Sequence, residues 1–143
     1  MPSEGLDNAI EQSHVALSEI IGGRSKAFEA LFSRREDVTL GNPFGPFASG
    51  RQQVAATLAG AAAHYRYGRI DGFELIASYV TDGLACVVEV ERFRAKIGGS
   101  DEFASVGLRV TSLFRPEMGT WKLVHRHADP ITTPQTPESI IGM

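Results

Sequence analysis

The chain has one cysteine, no long apolar run and no excess of basic residues. Cys86 alone can form neither an internal disulfide nor a thiolate metal cluster, which favours a reducing compartment. No apolar run approaches the roughly twenty residues that a membrane-spanning helix needs, so we predict no membrane contact. The net charge is −3 and the arginines are scattered, which argues against nucleic acid as a partner. The first residues lack the basic start and apolar run of a signal peptide, and we expect a cytoplasmic protein.

What the chain does contain is typical of an ordinary globular domain. Hydrophobic residues make up 43% of its 143 residues and charged residues 22%. A chain of this length fits one domain and can bury about two-thirds of the surface that its unfolded form exposes. Because prolines recur among threonines after residue 130, we predict a single domain over residues 7–130 and an extended tail over residues 131–143.

The first part of the chain has the periodicity of helices. Apolar residues at helical spacing predict an amphipathic helix over 7–21, with Asp7 as N-cap and Gly22-Gly23 as its end. Ser25 is placed to cap a second, short helix. An alanine-rich third helix is predicted over 51–65. Three N-terminal helices are therefore expected.

The second part has the pattern of a β-meander. A brief strand is predicted over 38–40, and long strands over 70–80, 84–97, 103–115 and 120–128, separated by turns of hairpin length. The segment 41–50 has too much glycine and proline for regular structure. Helices followed by a meander predict the α+β class, with the helices on one face of an antiparallel sheet.

Ionisable side chains interrupt the apolar pattern of the last two strands. Alternation puts Arg109 on the face of Thr111 and Leu113, whereas His125 and His127 share one face. The same alternation puts the two histidines with Trp121 and Leu123. Polar groups on apolar strand faces indicate either a lined cavity or a satisfied core pair.

The histidine pair does not by itself predict a metal site. Two histidines two apart on a strand can chelate zinc only with a further ligand, and neither His14 nor His64 has a spacing that recruits it. We predict no metal and no cofactor. The alternative role for His125 and His127 is hydrogen bonding at a pocket rim or a dimer interface.

Several segments together match one family pattern. On their basis the chain resembles the SnoaL-like branch of the nuclear transport factor two-like superfamily, over residues 7 to 130. The resemblance implies a cone: three N-terminal helices packed on a strongly curved antiparallel sheet, with an internal pocket and frequent homodimers. The matching segments are Asp37-Val38-Thr39-Leu40, Asn42-Pro43-Phe44-Gly45, Asp82-Gly83-Leu84-Ala85, Leu108-Arg109-Val110-Thr111 and Trp121-Lys122-Leu123-Val124-His125-Arg126-His127.

The C-terminal half also resembles the association domain of calcium/calmodulin-dependent protein kinases, which implies a pocket arginine at Arg109. If the predicted strands over 84–97 and 103–115 pair across their turn, Glu91 faces Arg109, and Glu89 lies on the same side as Glu91. One interpretation makes a glutamate the general base, with Arg109 orienting an anionic or carbonyl-bearing ligand. The other is a buried structural ion pair, or an exposed pair on the outer face of the sheet.

From these patterns we expect a small, partly apolar molecule to bind in the cone of a homodimer. The alternatives are a cofactor-free lyase or isomerase, of the ketosteroid isomerase, dehydratase or polyketide cyclase type, and a homo-oligomerisation module. Catalysis would fall to Glu91, His127 and Asp37. Ligand contacts are expected from Arg109, Glu89, His125, Tyr65, Asn42, Phe44 and Arg126. For Asn42 the alternative role is an ordinary turn before Pro43.

Overall fold

A computed structural model describes residues 2–142, with side chains from residue 5 onward. Three helices precede most of a six-stranded sheet, and a short 3₁₀ turn lies in the tail. The helices are α1 (Pro2–Ile20), α2 (Lys26–Leu31) and α3 (Arg51–Ala63); the strands are β1 (Thr39–Asn42), β2 (Gly45–Ser49), β3 (Tyr65–Val80), β4 (Ala85–Ile97), β5 (Phe103–Glu117) and β6 (Thr120–Asp129). None of the helices within 2–142 is long and apolar enough to span a membrane.

The predicted helices are all present, with shifted ends. Helix α1 begins at Pro2, five residues before the predicted N-cap, because proline suits a first helical turn. It ends as predicted at Gly22-Gly23: the Gly23 amide donates to the Ile20 carbonyl, and Gly23 takes a positive φ of 92°. Helix α3 stops at Ala63, so β3 starts at Tyr65 and not at residue 70.

The strands form one open sheet in the order β2-β1-β6-β5-β4-β3. All neighbours pair antiparallel except β1 and β6, which are parallel. Three irregularities in the β3–β4 register bend the far end of the sheet. Three helices on a mostly antiparallel sheet confirm the predicted α+β class.

The segment 41–50 is more regular than predicted, because it contains the hairpin of β1 and β2. Strand β1 pairs with β6, and this tertiary contact overrides the local preference for turns. Strand β2 lies at the edge of the sheet, where Pro46 costs no ladder hydrogen bond. Only the tip of the hairpin, at Pro43 and Phe44, remains a turn.

One face of the sheet packs on the helices and forms the core. On β4 the alternate residues Ala85, Val87, Phe93 and Ala95 are buried beneath the helices, and Glu89 and Glu91 occupy the same alternation. We call this helix-covered side the inner face of the sheet and the opposite side the outer face. Two glutamates on a buried face need partners for their charges.

Candidate functional site

The centre of the inner face holds a buried ion pair between Glu91 of β4 and Arg126 of β6. Both guanidinium NH₂ groups of Arg126 donate to the Glu91 carboxylate, at 2.8 Å each. Side-chain exposure is 8% for Arg126 and 2% for Glu91. The Phe28 ring of α2 lies 5.0 Å from the guanidinium carbon. Buried charges persist only when paired in this way, so each partner fixes the other.

A second pair, Glu89 with His14 of α1, lies on the same face. The His14 Nε2 atom is 3.1 and 3.0 Å from the two carboxylate oxygens, and its ring stacks on Phe73 with centroids 3.6 Å apart. Burial lowers the pKa of His14, but the hydrogen bond and charge of Glu89, with Glu91 behind it, outweigh burial and raise that pKa above 6.5. His14 therefore keeps its proton to a higher pH than a free histidine.

A small internal cavity adjoins the Arg126 side of this cluster. Its volume is about 40 Å³, room for roughly one water molecule. Burial, with the charge of Glu91, raises the pKa of the Tyr65 phenol to about 12 despite the charge of Arg126, so the phenol stays neutral. The cavity is lined by Leu17, Ile20, Phe28, Leu40, Asn42, Pro43, Phe44, Leu58, Ala61, Tyr65, Leu108, Arg126 and Ala128.

A groove of about 410 Å³ lies between the β1–β2 hairpin and α3. Asn42, Phe44 and Ala61 line both this groove and the internal cavity. The centre of the Phe44 ring lies 4.7 Å from that of His64, which lines the groove, and 5.6 Å from that of Tyr65, which lines the cavity. The Asn42 side chain accepts a hydrogen bond from the Phe44 amide at 3.0 Å, which is the turn role considered above.

The predicted pair of Arg109 with Glu91 is wrong, because the strand register differs by one residue. Glu91 lies opposite Leu108, and Arg109 lies opposite Val90. A shift of one residue moves a side chain to the other face of a sheet. Arg109 therefore lies on the outer face, where its Nε donates to Asp129 at 2.7 Å and its side chain is 56% exposed.

The two strand histidines also lie on the outer face. A bulge at Val124 interrupts the alternation of β6, so His125 and His127 do not share the face of Trp121 and Leu123. His125 Nδ1 and Thr39 Oγ1 share a hydrogen bond of 2.7 Å. Burial and the neighbouring charge of His127 lower the pKa of His125. Within the described residues no three His, Cys, Asp or Glu side chains are placed to hold a metal ion.

Asp37 belongs to a separate surface cluster. Its carboxylate accepts hydrogen bonds from Arg115 at 2.7 and 3.0 Å, and Arg115 also contacts Glu117. The hydrogen bond from Arg115 holds the pKa of Asp37 below its ordinary value. Asp37 lines neither the internal cavity nor the groove.

The inner face thus gathers six of the predicted site residues and adds one that sequence reasoning missed. The six are Glu89, Glu91, Arg126, Tyr65, Asn42 and Phe44. The missed residue is His14, whose spacing in the sequence does not recruit it to the pair formed by His125 and His127. Its signal was its place in the apolar stripe of α1 formed with Ile10, Leu17 and Ile21, because a histidine in such a stripe faces the core.

Comparisons with known proteins agree with this architecture. A solved nuclear transport factor 2-like superfamily protein from Salmonella enterica has a TM-score of 0.78 at 16% identity, covering 96% of this chain and 99% of its own. A proposed dehydratase of the same family from Streptomyces avermitilis has a TM-score of 0.69 at 22% identity, covering 89% and 99%. A proposed calcium/calmodulin-dependent protein kinase type II association domain from Thiobacillus denitrificans has a TM-score of 0.72 at 20% identity. The match covers 88% of this chain and 94% of that domain.

These likenesses are below 25% identity and establish the fold alone. No curated protein sequence matches the chain significantly. The model of the SnoaL-like domain matches residues 9–132, which is most of the chain. Its helices on one open, mostly antiparallel sheet give the chain the fold of the solved nuclear transport factor 2-like superfamily protein. By its match to the domain model, the chain belongs to the SnoaL-like family.

Proposed function

We propose that the chain binds a small, partly apolar molecule inside the cone, admitted from the groove beside Phe44. The observation that carries this proposal is the shared wall: Asn42, Phe44 and Ala61 line both the groove and the internal cavity. Ligand pockets typically measure about 300–1,000 Å³, a range that the groove reaches and the cavity does not. Binding therefore requires the Phe44 ring to swing aside and join the two spaces.

The polar lining favours a ligand with an uncharged polar group. Arg126 is already neutralised by two hydrogen bonds to Glu91, and the Tyr65 phenol keeps its proton because its pKa is about 12. A neutral phenol in an apolar wall donates well to a hydroxyl or ketone oxygen. A free carboxylate would compete with Glu91 for Arg126. A ligand with a ketone or hydroxyl group on an apolar skeleton fits this lining.

The test uses an uncharged fluorescent probe, N-phenyl-1-naphthylamine, and two phenylalanines of one hairpin. Phe44 lines both spaces, whereas Phe47 lines only the groove and is 64% exposed. In stopped-flow fluorescence, Phe44→Ala should raise the association rate about tenfold, because no ring has to move. The association rate of the Phe47→Ala variant should stay within about twofold of the rate of the unmodified chain.

Tyr65→Phe distinguishes interior binding from binding in the outer groove. Loss of the hydroxyl should weaken the binding of a ketone ligand such as 2-acetonaphthone about fivefold. The contacts between the protein and the hydrocarbon part of the ligand should remain. Equal rates for both alanine variants, together with unchanged ketone affinity in Tyr65→Phe, would refute binding inside the cone.

A second candidate function is acid–base catalysis by His14 and Glu89, as in a cofactor-free lyase or isomerase. The supporting observation is the geometry of the pair. The Glu89 carboxylate is hydrogen-bonded to Nε2 of His14, while Nδ1 of His14 makes no hydrogen bond within the described part of the chain. Such a carboxylate fixes the tautomer and orientation of the imidazole and leaves one nitrogen to exchange a proton with substrate. The side chain of His14 is 17% exposed, so a small substrate has limited access to it.

Ring opening of 5-nitrobenzisoxazole tests this pair, because the reaction needs only removal of one carbon-bound proton. We expect release of the coloured phenolate to exceed that in buffer and to rise with pH through the raised pKa of His14. His14→Gln should abolish the excess rate, whereas His64→Gln, at the exposed end of α3, should preserve it. A His14→Gln variant that is folded and fully active would reject the catalytic role.

We further propose a homodimer that buries an apolar surface at the β3–β4 hairpin. The relative from Thiobacillus denitrificans is itself described as a proposed association domain. Large exposed apolar clusters commonly mark interfaces between proteins. The exposed cluster comprises Leu75, Ile76, Tyr79, Val80 and Leu84.

Sedimentation velocity at micromolar concentration tests the dimer. We expect the unmodified chain to sediment as a dimer and the double variant Leu75→Ser, Tyr79→Ser to sediment as a monomer. Met118→Ser is the matched control, because Met118 is fully exposed on a different turn. A monomeric unmodified chain, or dissociation by the Met118 variant, would contradict the proposed interface.

A further inference from the structure

The outer face of the sheet carries a second concavity, unconnected with the cone interior. It is a depression of about 550 Å³ near the start of β3 and the turn between β4 and β5. Its lining consists of three cations and two aromatic rings: Arg69, Arg94, Lys96, Tyr67 and Phe103. Neither the internal cavity nor the groove beside Phe44 shares any of these residues.

The two aromatic rings stand out from the surface with a cation between them. Tyr67 is 72% exposed and Phe103 is 59% exposed. The ammonium nitrogen of Lys96 lies 5.4 Å from the Tyr67 ring centre and 5.3 Å from the Phe103 ring centre. Lys96 and Phe103 are directly paired across the β4–β5 ladder, which fixes their spacing. The arrangement leaves the remaining ring surface open to a flat ligand.

The backbone conformation at Tyr67 and Gly68 fixes the direction of the Tyr67 ring. Tyr67 has a positive φ of 56°, a conformation that aromatic residues rarely adopt. The next residue, Gly68, is fixed against α1: its amide donates to the Ile21 carbonyl at 2.9 Å, and a Cβ there would lie 2.3 Å from the Ile21 side chain. Close packing of Gly68 therefore imposes the turn that projects the Tyr67 ring outward.

The charges of the depression are largely uncompensated. Arg94 is paired with Asp71, its Nη2 and Nε lying 3.1 and 3.2 Å from Oδ1. Arg69 and Lys96 have no carboxylate within 4.0 Å among the described residues. Two cations without a carboxylate partner among the described residues lie beside two exposed rings. This surface is complementary to an aromatic anion, because the rings can stack on the ring of the ligand and the cations can neutralise its charge.

We propose that this depression binds a small aromatic anion, a planar ring that carries a carboxylate or a phosphate. The ring stacks against Phe103 and Tyr67, and the anionic group reaches Arg69 and Lys96. A nucleic acid strand does not fit, because the chain has a net charge of −3 and the acidic residues Asp101 and Glu102 occupy the turn that precedes Phe103. The site is independent of the ligand proposed for the cone.

Calorimetric titration with three naphthalene compounds tests the proposal on the whole chain. 2-Naphthoate and 2-naphthyl phosphate provide the two anionic groups, and 2-naphthalenemethanol is the neutral analogue. We expect at least one anion to bind saturably and at least about tenfold more tightly than the alcohol, with affinity falling as salt is added. The tighter of the two anions identifies carboxylate or phosphate as the preferred group.

Variants locate the binding. Lys96→Gln and Phe103→Ala should each weaken the binding of the anion about twofold to fivefold, as expected for cation–π and stacking contacts at an exposed site. The matched control is Arg92→Gln: Arg92 is on the same face of β4 but pairs with Glu74 outside the depression, so affinity should be unchanged. The proposal is overturned if neither anion saturates, if the alcohol binds equally well, or if Arg92→Gln weakens binding as much as Lys96→Gln.

Discussion

At the scale of single residues, the Glu91–Arg126 pair is the strongest constraint on the interior. Both charges are buried and each satisfies the other through two hydrogen bonds. The desolvation of two ions offsets much of their attraction, so the pair contributes little net stability compared with an apolar pair of the same size. Its main effect is to hold β4 and β6 in one arrangement beside the cavity.

Removing one partner should therefore be far more costly than removing both. Arg126→Met leaves an unpaired buried carboxylate and should lower the free energy of unfolding by about 3–5 kcal/mol. The double variant Glu91→Leu, Arg126→Met should recover most of that loss. Urea denaturation measures both values, and Arg109→Met, in an exposed pair with Asp129, is the control with little expected change.

If the double variant is as unstable as the single one, the charges themselves stabilise the fold and the desolvation argument fails. If Arg126→Met has no effect, the carboxylate of Glu91 has found another partner or water. Either result would change the account of the lining given above, since the proposed ligand preference depends on a neutralised Arg126.

Residue identities predicted the composition of the site better than its contacts. Alternation correctly put Glu89 and Glu91 on one face, because β4 has no irregularity between them. The partner of Glu91 could not be predicted, because a register change of one residue exchanges Arg109 for Leu108. His14 was missed because its partner Glu89 is 75 residues away in the chain.

At the scale of elements, departures from regular strands decide which side chains face the interior. The bulge at Val124 sends His125 and His127 to the outer face and leaves Arg126 inside. Without it, strict alternation from Trp121 would bury the histidines and expose the arginine. No local sequence signal marks this bulge, which is why the faces of β6 were predicted wrongly.

The β1–β2 hairpin illustrates the opposite effect, in which tertiary pairing adds regularity. Its glycines and prolines predict a loop, yet β1 gains a full neighbour in β6. The hairpin thereby holds Asn42 and Phe44 over the end of the cavity. Propensity predicted the turn at its tip, whereas β1 depends on pairing with β6 across more than 80 residues, and β2 pairs with β1.

At the scale of the whole molecule, the order of helices and strands is well predicted by periodicity, and the fold follows from it. The same fold supports many activities, so the fold alone does not select one. The interior of this chain also contains the His14–Glu89 pair, and the titration of His14 should be visible in the stability of the chain.

His14 should stabilise the folded chain at low pH, and this contribution should be lost as the pH rises. Its folded pKa is raised above 6.5, the ordinary value, because the hydrogen bond and charge of Glu89 outweigh burial. A group with a raised folded pKa stabilises fully below its unfolded pKa, and that contribution is lost as pH rises through the folded pKa. His125, whose pKa is lowered, acts oppositely: it stabilises above 6.5, and its contribution is lost as pH falls through the folded value.

The two histidines partly cancel in the unmodified chain, so His14 must be isolated by difference. We expect the free energy of unfolding of the unmodified chain, minus that of His14→Gln, to be largest near pH 5 and to shrink steadily toward about pH 9. The carboxyl groups of Asp129 and Glu117, whose pKa values are lowered by hydrogen bonds, lose their contribution only as pH falls below their ordinary range, and they do so equally in both chains. A difference that is flat with pH would mean that folding leaves the pKa of His14 unchanged, so that the contact with Glu89 does not favour the protonated imidazole.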